Sequence, residues 1–152
     1  LVARLASEKA QAVKAYLEDL QAMTDDKVIL ASDTLISFNG QSVGKPEDKA
    51  DSRRILTMLS GKTHDVLTAI CVLDNAQQQT QVITTSVTFA ALTDEQIDAY
   101  WETGEPADKA GSYAIQGIGG EFVVSINGSA SAVIGLPLYE TRQLLNAFGV
   151  VS

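Results

Sequence analysis

The stretch Val28-Ile29-Leu30-Ala31-Ser32-Asp33-Thr34-Leu35-Ile36-Ser37-Phe38, closed by Asn39-Gly40, decides how the rest of the chain is read. Val28 to Ala31 is wholly apolar, which suits a strand covered on both faces. That strand delivers Ser32, Asp33 and Thr34 near its C-terminal part. Leu35 to Phe38 prolong it to Asn39-Gly40, a dipeptide that favours a tight hairpin turn because both positions tolerate positive φ. A carboxylate at the end of a buried strand stands where α/β sheets usually open their ligand crevice. Two readings of Asp33 are open: it caps a turn at the strand end, or it holds a divalent metal or takes a proton from water. Thr34, by residue type alone, is an ordinary β-branched strand residue.

Before this strand, Ala6, Ala10, Val13, Leu17 and Leu20 fall on one helical stripe with charges on the other side. After it, Asp48 to Leu59 reads as a helix with Ile55, Met58 and Leu59 inward and Gly61 as its stop. Thr63 to Leu73 and Thr80 to Ala91 are β-branched-rich runs separated by a polar turn, which predicts an antiparallel pair. Thr93 with Gln96 fits a capping box, and Ile97, Tyr100 and Trp101 form the inward stripe of a helix ending at Gly104. Glu105 to Gly120 reads as a shaped loop: it is rich in glycine yet carries Asp108, Lys109, Tyr113 and Gln116. Phe122 to Ile126 predicts a strand closing at Asn127-Gly128, and Pro137 opens a last helix with Leu138, Leu144, Leu145 and Phe148 inward. Strands and helices interleave with at least one antiparallel pair. The expected class is α/β, a mixed twisted sheet with flanking helices, in a single domain over 1–152.

The 152 residues, 45% of them hydrophobic, are enough for one substantial core. The longest apolar runs are far too short to cross a bilayer. Cys71 is the single cysteine, so no intrachain disulfide can form; it is expected as a buried, inert thiol in a reducing, cytoplasmic setting. The net charge of −8 argues against a general nucleic-acid surface, which draws on clustered lysines and arginines. An anionic ligand would therefore be held locally, with metal help.

Lys9, Lys45 and Lys62 could supply that local charge, each with a solvated surface lysine as the alternative. Lys45 stands out because Gly44 and Pro46 frame its backbone. Gly61-Lys62-Thr63 resembles the end of a P-loop, but the first glycine is absent at the required spacing and that reading is rejected. His64 is the only histidine and begins a strand, so it reads as structural rather than as a base. Asp108, two residues beyond Pro106, either binds a metal or caps the next turn, and residue type and position favour the cap. Gln116 offers a donor and an acceptor, as reading a base edge requires.

Taken in order, Arg4 to Ala10 (RLASEKA), Ser32-Asp33-Thr34, Gly44-Lys45-Pro46, Leu59 to His64 (LSGKTH), Asp108 to Gly117 (DKAGSYAIQG) and Gly135-Leu136-Pro137-Leu138 resemble the Maf family of nucleoside triphosphate pyrophosphatases. The likeness spans nearly the whole chain, and the DKAGSYAIQG block is its most specific part. It implies a fold similar to the inosine triphosphate pyrophosphatases, an elongated two-lobed body with the nucleotide in the cleft. It implies Asp33 as the catalytic acidic residue, either proton acceptor for water or metal ligand, with Lys9 and Lys45 binding phosphates. Magnesium or manganese is the implied cofactor. Thr34 and Gln116 resemble the branch preferring dTTP and UTP, which cuts them to the monophosphate and pyrophosphate. The family link to septum formation implies the rival reading, a nucleotide-binding regulator that needs no turnover. A homodimer is compatible with such a fold; nucleic acid and membrane are not expected partners. Family members begin with a strand and an SPRR motif that grips phosphates. Neither is present, and Arg53-Arg54 lies in a helix and is no substitute, so a chain shortened at its N-terminus is expected.

Overall fold

A computed structural model describes residues 1–150; Val151 and Ser152, the end of the expected 1–152 domain, lie outside the described residues. The five strands are β1 (Ile29–Phe38), β2 (Gln41–Val43), β3 (Thr63–Leu73), β4 (Gln78–Phe89) and β5 (Val123–Asn127), in the spatial order β2-β1-β3-β4-β5. The α/β class and the flanking helices are as expected, and every pairing among the described residues is antiparallel. The β1–β2 hairpin turns on Asn39 (φ 51°) and Gly40 (φ 79°), both left-handed, as a tight turn of this kind demands.

Five helices cover the sheet: α1 (Val2–Asp19), α2 (Lys49–Leu59), α3 (Asp94–Glu102), α4 (Ala130–Ile134) and α5 (Leu138–Ala147). Side chains alternate along a strand, so the residues of β1 divide cleanly. Ile29, Ala31 and Leu35 join Ala69, Cys71 and Leu73 of β3 under Val2, Ala6 and Ala10 of α1. Ile36 lies on the opposite face with Val66, Val87, Phe89 and the inward side of α2, Ile55, Leu56 and Leu59. On that same face, but at the other end of β3, Ile70 and Val72 pack with Leu144 and Phe148. Each fully buried Leu or Ile contributes roughly 1.5–3 kcal/mol relative to exposure. One face thus carries α1 alone, whereas the other carries two separate apolar clusters.

Local signals explain the helix boundaries. Asp48 caps α2 by accepting from Asp51 N, and Thr93 with Gln96 forms the full capping box of α3. Ser129 caps α4, a helix of only five residues that no periodicity announces. Two expectations are corrected. The stripe of α1 is fully buried at Ala6 and Ala10 and partly at Leu17, while Val13 at 46% and Leu20 at 58% exposure lie outside the packed face. Leu138 is exposed at the start of α5, while Leu144 of the same helix and its C-cap Phe148 face the core. The segment Glu105 to Gly120 is an ordered series of 3-10 turns, Glu105–Asp108, Ala110–Ser112 and Ile118–Phe122.

Candidate functional site

Asp33 lies in the middle of β1, five residues before its end at Phe38, so strand-end geometry does not explain its access. Among the described residues, β1 pairs with β3 from Ile29 to Ser37 and with β2 from Ile36 to Phe38. Alternation along the strand sends Asp33 to the α1 face and Thr34 to the other. Pairing with β2 stops at Ile36 opposite Val43, so Gly44-Lys45-Pro46 leaves the sheet where Leu35 and Thr34 come next along β1. Gly44 O accepts from Gly111 N at 3.1 Å and ties this corner to the 3-10 segment. Lys45 is exposed, and its ammonium engages no acceptor among the described residues.

On the α1 face, Lys9 Nζ donates to Asp33 Oδ1 at 2.6 Å and to Ser32 O at 3.1 Å. The carboxylate is 19% exposed and the lysine 55%, so the pair sits at the surface with one carboxylate oxygen uncommitted. Among the described residues no three His, Cys, Asp or Glu side chains gather as a resident metal site would require. Magnesium is commonly held by one or two carboxylates together with substrate phosphates. Asp33 with a free oxygen fits a cation that arrives with a polyphosphate.

On the opposite face a cleft of about 160 Å³ opens beside the cluster of Ile36, Val66 and Tyr113. Thr34, Ile36 and Val66 form its floor, Lys109 to Gln116 one wall, and Val133 and Ile134 the other. Thr34 Oγ1 lies 3.3 Å from Thr68 Oγ1, and the buried Thr68 hydroxyl donates to Ala132 O at 2.7 Å. Ser32 Oγ donates to Gly135 O at 2.6 Å, a second tie between β1 and the segment carrying α4.

The wall bearing Gln116 is a turn anchored at both ends. Gly117 N donates to Ala114 O at 3.1 Å, and Ala114 N donates to the Tyr100 hydroxyl at 3.1 Å. The Glu105 carboxylate accepts from Ile118 N and Gly119 N, both at 2.9 Å, and from the Tyr100 hydroxyl. Burial alone would raise the Glu105 pKa, but these hydrogen bonds outweigh it and hold the carboxyl below its usual range. A side chain at Gly117 would run into that carboxylate. Beneath the wall, Tyr113 OH meets His64 Nε2 at 2.6 Å, while His64 Nδ1 is buried without a partner. Burial pushes His64 down to about 4 against a weaker upward pull from Asp65.

The structure therefore brings Thr34 and Gln116 together in one cleft and places Lys9 with Asp33 on the other side of the strand. Lys45 lies just past the end of β2. Lys62 lies over the Phe38 ring, 5.9 Å from its centroid, away from the cleft. His64 is structural, as its sequence context suggests. Asp108 ends a 3-10 turn with its side chain exposed and 3.3 Å from Lys109, and is no helix cap. Two residues enter that the sequence reading does not single out. Lys109 lines the cleft, and its place beside Asp108 in the DKAG block is the signal that points to it. Glu105 has no such signal, because its partners are backbone groups 13 and 14 residues away.

Fold and site together define an α/β protein with a small cleft holding Thr34 and Gln116 on one face of β1 and the Lys9–Asp33 pair on the other. The Maf-like protein family model matches residues 1–148. The dTTP/UTP pyrophosphatase of Colwellia psychrerythraea is 53% identical over 150 residues, covering 99% of this chain and 70% of that protein. The Vibrio vulnificus and Pseudoalteromonas atlantica proteins of the same name are 49% and 51% identical, over 97% and 95% of this chain and 76% and 74% of theirs. The chain belongs to the Maf family. No helix among the described residues is long and apolar enough to cross a membrane.

Proposed function

We propose that this chain hydrolyses dTTP, UTP and related nucleotides to the monophosphate and pyrophosphate, clearing them from the nucleotide pool. Its relatives at about 50% identity carry the name dTTP/UTP pyrophosphatase. The observation that carries the reading is the meeting of Thr34 and Gln116 in one cleft of about 160 Å³, with Asp33 the adjacent residue of β1. That volume is below the roughly 300 Å³ at which sites for larger ligands begin, and suits a base rather than a whole nucleotide. The base would lie in the cleft, and the triphosphate would extend from it past Lys45 toward Asp33 and Lys9.

In that pose Lys45 and Lys9 contact the phosphates, and Asp33 faces the α-phosphorus. Water attacks that phosphorus as Asp33 accepts its proton; the new P–O bond forms, the bond to the bridging oxygen breaks, and pyrophosphate leaves. Lys9 must release Asp33, at least in part, to serve the leaving group. A divalent cation, magnesium or manganese, would be held by Asp33 and the phosphates and would neutralise charge on the leaving group. A cytoplasmic setting fits both this substrate pool and the free, buried thiol of Cys71.

The test incubates the protein and Asp33→Asn with magnesium and dTTP, UTP, CTP, purine triphosphates and 7-methyl-GTP, and identifies the products. Monophosphate and pyrophosphate from dTTP and UTP, lost in the variant, is the expected result. Nucleotide binding without turnover would move the assignment to a regulator.

A further inference from the structure

The cleft floor holds a chain of hydroxyl groups whose proton directions are forced. Ala132 O is a carbonyl and can only accept, so the Thr68 hydroxyl, 2.7 Å away, must give its single proton to it. Toward Thr34 Oγ1, 3.3 Å distant, Thr68 then presents lone pairs alone. Thr34 must be the donor of that pair, and among the described residues its hydroxyl has no other partner. With that pair made, the one proton of Thr34 is directed at Thr68 and its lone pairs are left for the cleft.

We propose that Thr68 is a specificity-positioning residue: through the Thr34–Thr68–Ala132 relay it makes Thr34 an obligatory hydrogen-bond acceptor, selecting bases that present an imide N–H. Uracil and thymine carry that N–H at N3 between two carbonyl groups. Cytosine carries a bare acceptor nitrogen at the same place, and two acceptors facing each other leave both unpaired. Rejection by an unpaired buried acceptor is stronger than rejection by shape alone. This rests on the placement of the base in the cleft given above, and it assigns the UTP-over-CTP choice to a buried residue that the substrate never touches.

The geometry leaves little freedom for the relay to invert. Thr68 is fully buried in β3, opposite Thr34 in the β1–β3 register, and its acceptor belongs to α4, which Ser129 caps by accepting from Ala132 N at 3.1 Å. Ala132 is itself fully buried, so water does not compete for its carbonyl.

The experiment compares kcat/KM for UTP, CTP and N3-methyl-UTP in the unmodified protein, Thr68→Ser, Thr68→Val, Thr34→Val and Gln116→Glu, with thermal unfolding measured for each. Thr68→Ser keeps the hydroxyl and should keep the UTP-over-CTP ratio. Thr68→Val frees the Thr34 proton to turn toward the cleft, and the ratio should fall by about tenfold, with CTP gaining. The unmodified protein should discriminate against N3-methyl-UTP as strongly as against CTP, and Thr34→Val should lose both preferences. A folded Thr68→Val with an unchanged ratio overturns the proposal. Should that variant not fold, an unchanged ratio in Thr34→Val overturns it instead. If Gln116→Glu and Thr34→Val both leave every base preference intact, the base does not sit in this cleft and the underlying placement falls, taking the relay with it.

Discussion

The two faces of β1 do opposite things with adjacent residues. On the α1 face, Asp33 meets a lysine in a partly exposed ion pair, where charge is available and geometry is loose. One residue on, Thr34 faces a cleft whose floor is neutral, its hydroxyl 3.3 Å from that of the buried Thr68. Flexible charge suits phosphate, which is recognised mainly by its charge, whereas fixed donors and acceptors suit a base edge, which is recognised by direction. The adjacency of Asp33 and Thr34 along β1 is what lets one ligand meet both. The comparison predicts that substitutions on the first face change rates for all nucleotides alike, and those on the second redistribute preference among them.

The largest effect belongs to Asp33→Asn. Loss of a positioned base should lower kcat by roughly 10²- to 10⁴-fold for every substrate, with nucleotide binding retained. A variant that changed the ranking of dTTP, UTP and CTP instead would break the division of labour between the faces.

Next comes the acid stability of the cleft face. His64, beneath Tyr113, has its folded pKa pushed by burial from 6.5 to about 4. In that interval the unfolded chain binds a proton that the folded protein does not, so the neutral imidazole's contribution is complete above pH 6.5 and is lost as pH falls toward 4. The slope is ~1.4 kcal/mol per pH unit and the total on the order of 3 kcal/mol. Denaturant melts of the protein and His64→Gln, run from pH 7 to 4, should show the unmodified protein losing that much more. Parallel curves would mean that the imidazole is not the group that titrates.

A smaller loss is expected at the cleft wall. Glu105→Ala leaves Ile118 N and Gly119 N without their acceptor and should cost about 1–3 kcal/mol. Hydrogen exchange at those two amides should accelerate well beyond exchange in β3, which would locate the loss in the turn that carries Gln116. Equal acceleration throughout would show that the carboxylate supports the whole fold instead.

Much of this could be read from residue order. The capping box at Thr93 and Gln96 is local chemistry and appears as expected, as does the β3–β4 pair. The separation of Asp33 from Thr34 was present too, since neighbours on a strand face opposite ways, but a motif reading treats them as one unit. Other features lie beyond reach because they depend on tertiary neighbours. The exposure of Leu138 depends on which side of α5 meets the sheet, which only the tertiary packing sets. The role of Glu105 depends on backbone donors, which no side-chain pattern encodes. The expectation that Asp33 ends its strand transferred a rule of parallel sheets to pairings that are all antiparallel among the described residues, and Asp33 lies in mid-strand.

The smallest effect separates structure from function on the charged face. Lys9 and Asp33 form a close pair at 2.6 Å, yet the lysine is 55% exposed, so solvent and side-chain entropy should hold its contribution to stability between about 0 and 1 kcal/mol. Lys9→Met keeps the aliphatic stem and removes only the charge. Its melting temperature should therefore barely move, while KM rises about tenfold for dTTP, UTP and CTP together as a charge-assisted phosphate contact is lost. A large drop in melting temperature with unchanged KM would make the pair a structural clamp and leave the phosphates to Lys45. A rise in KM confined to one base would place Lys9 on the reading side of the strand, which the alternation of β1 does not permit.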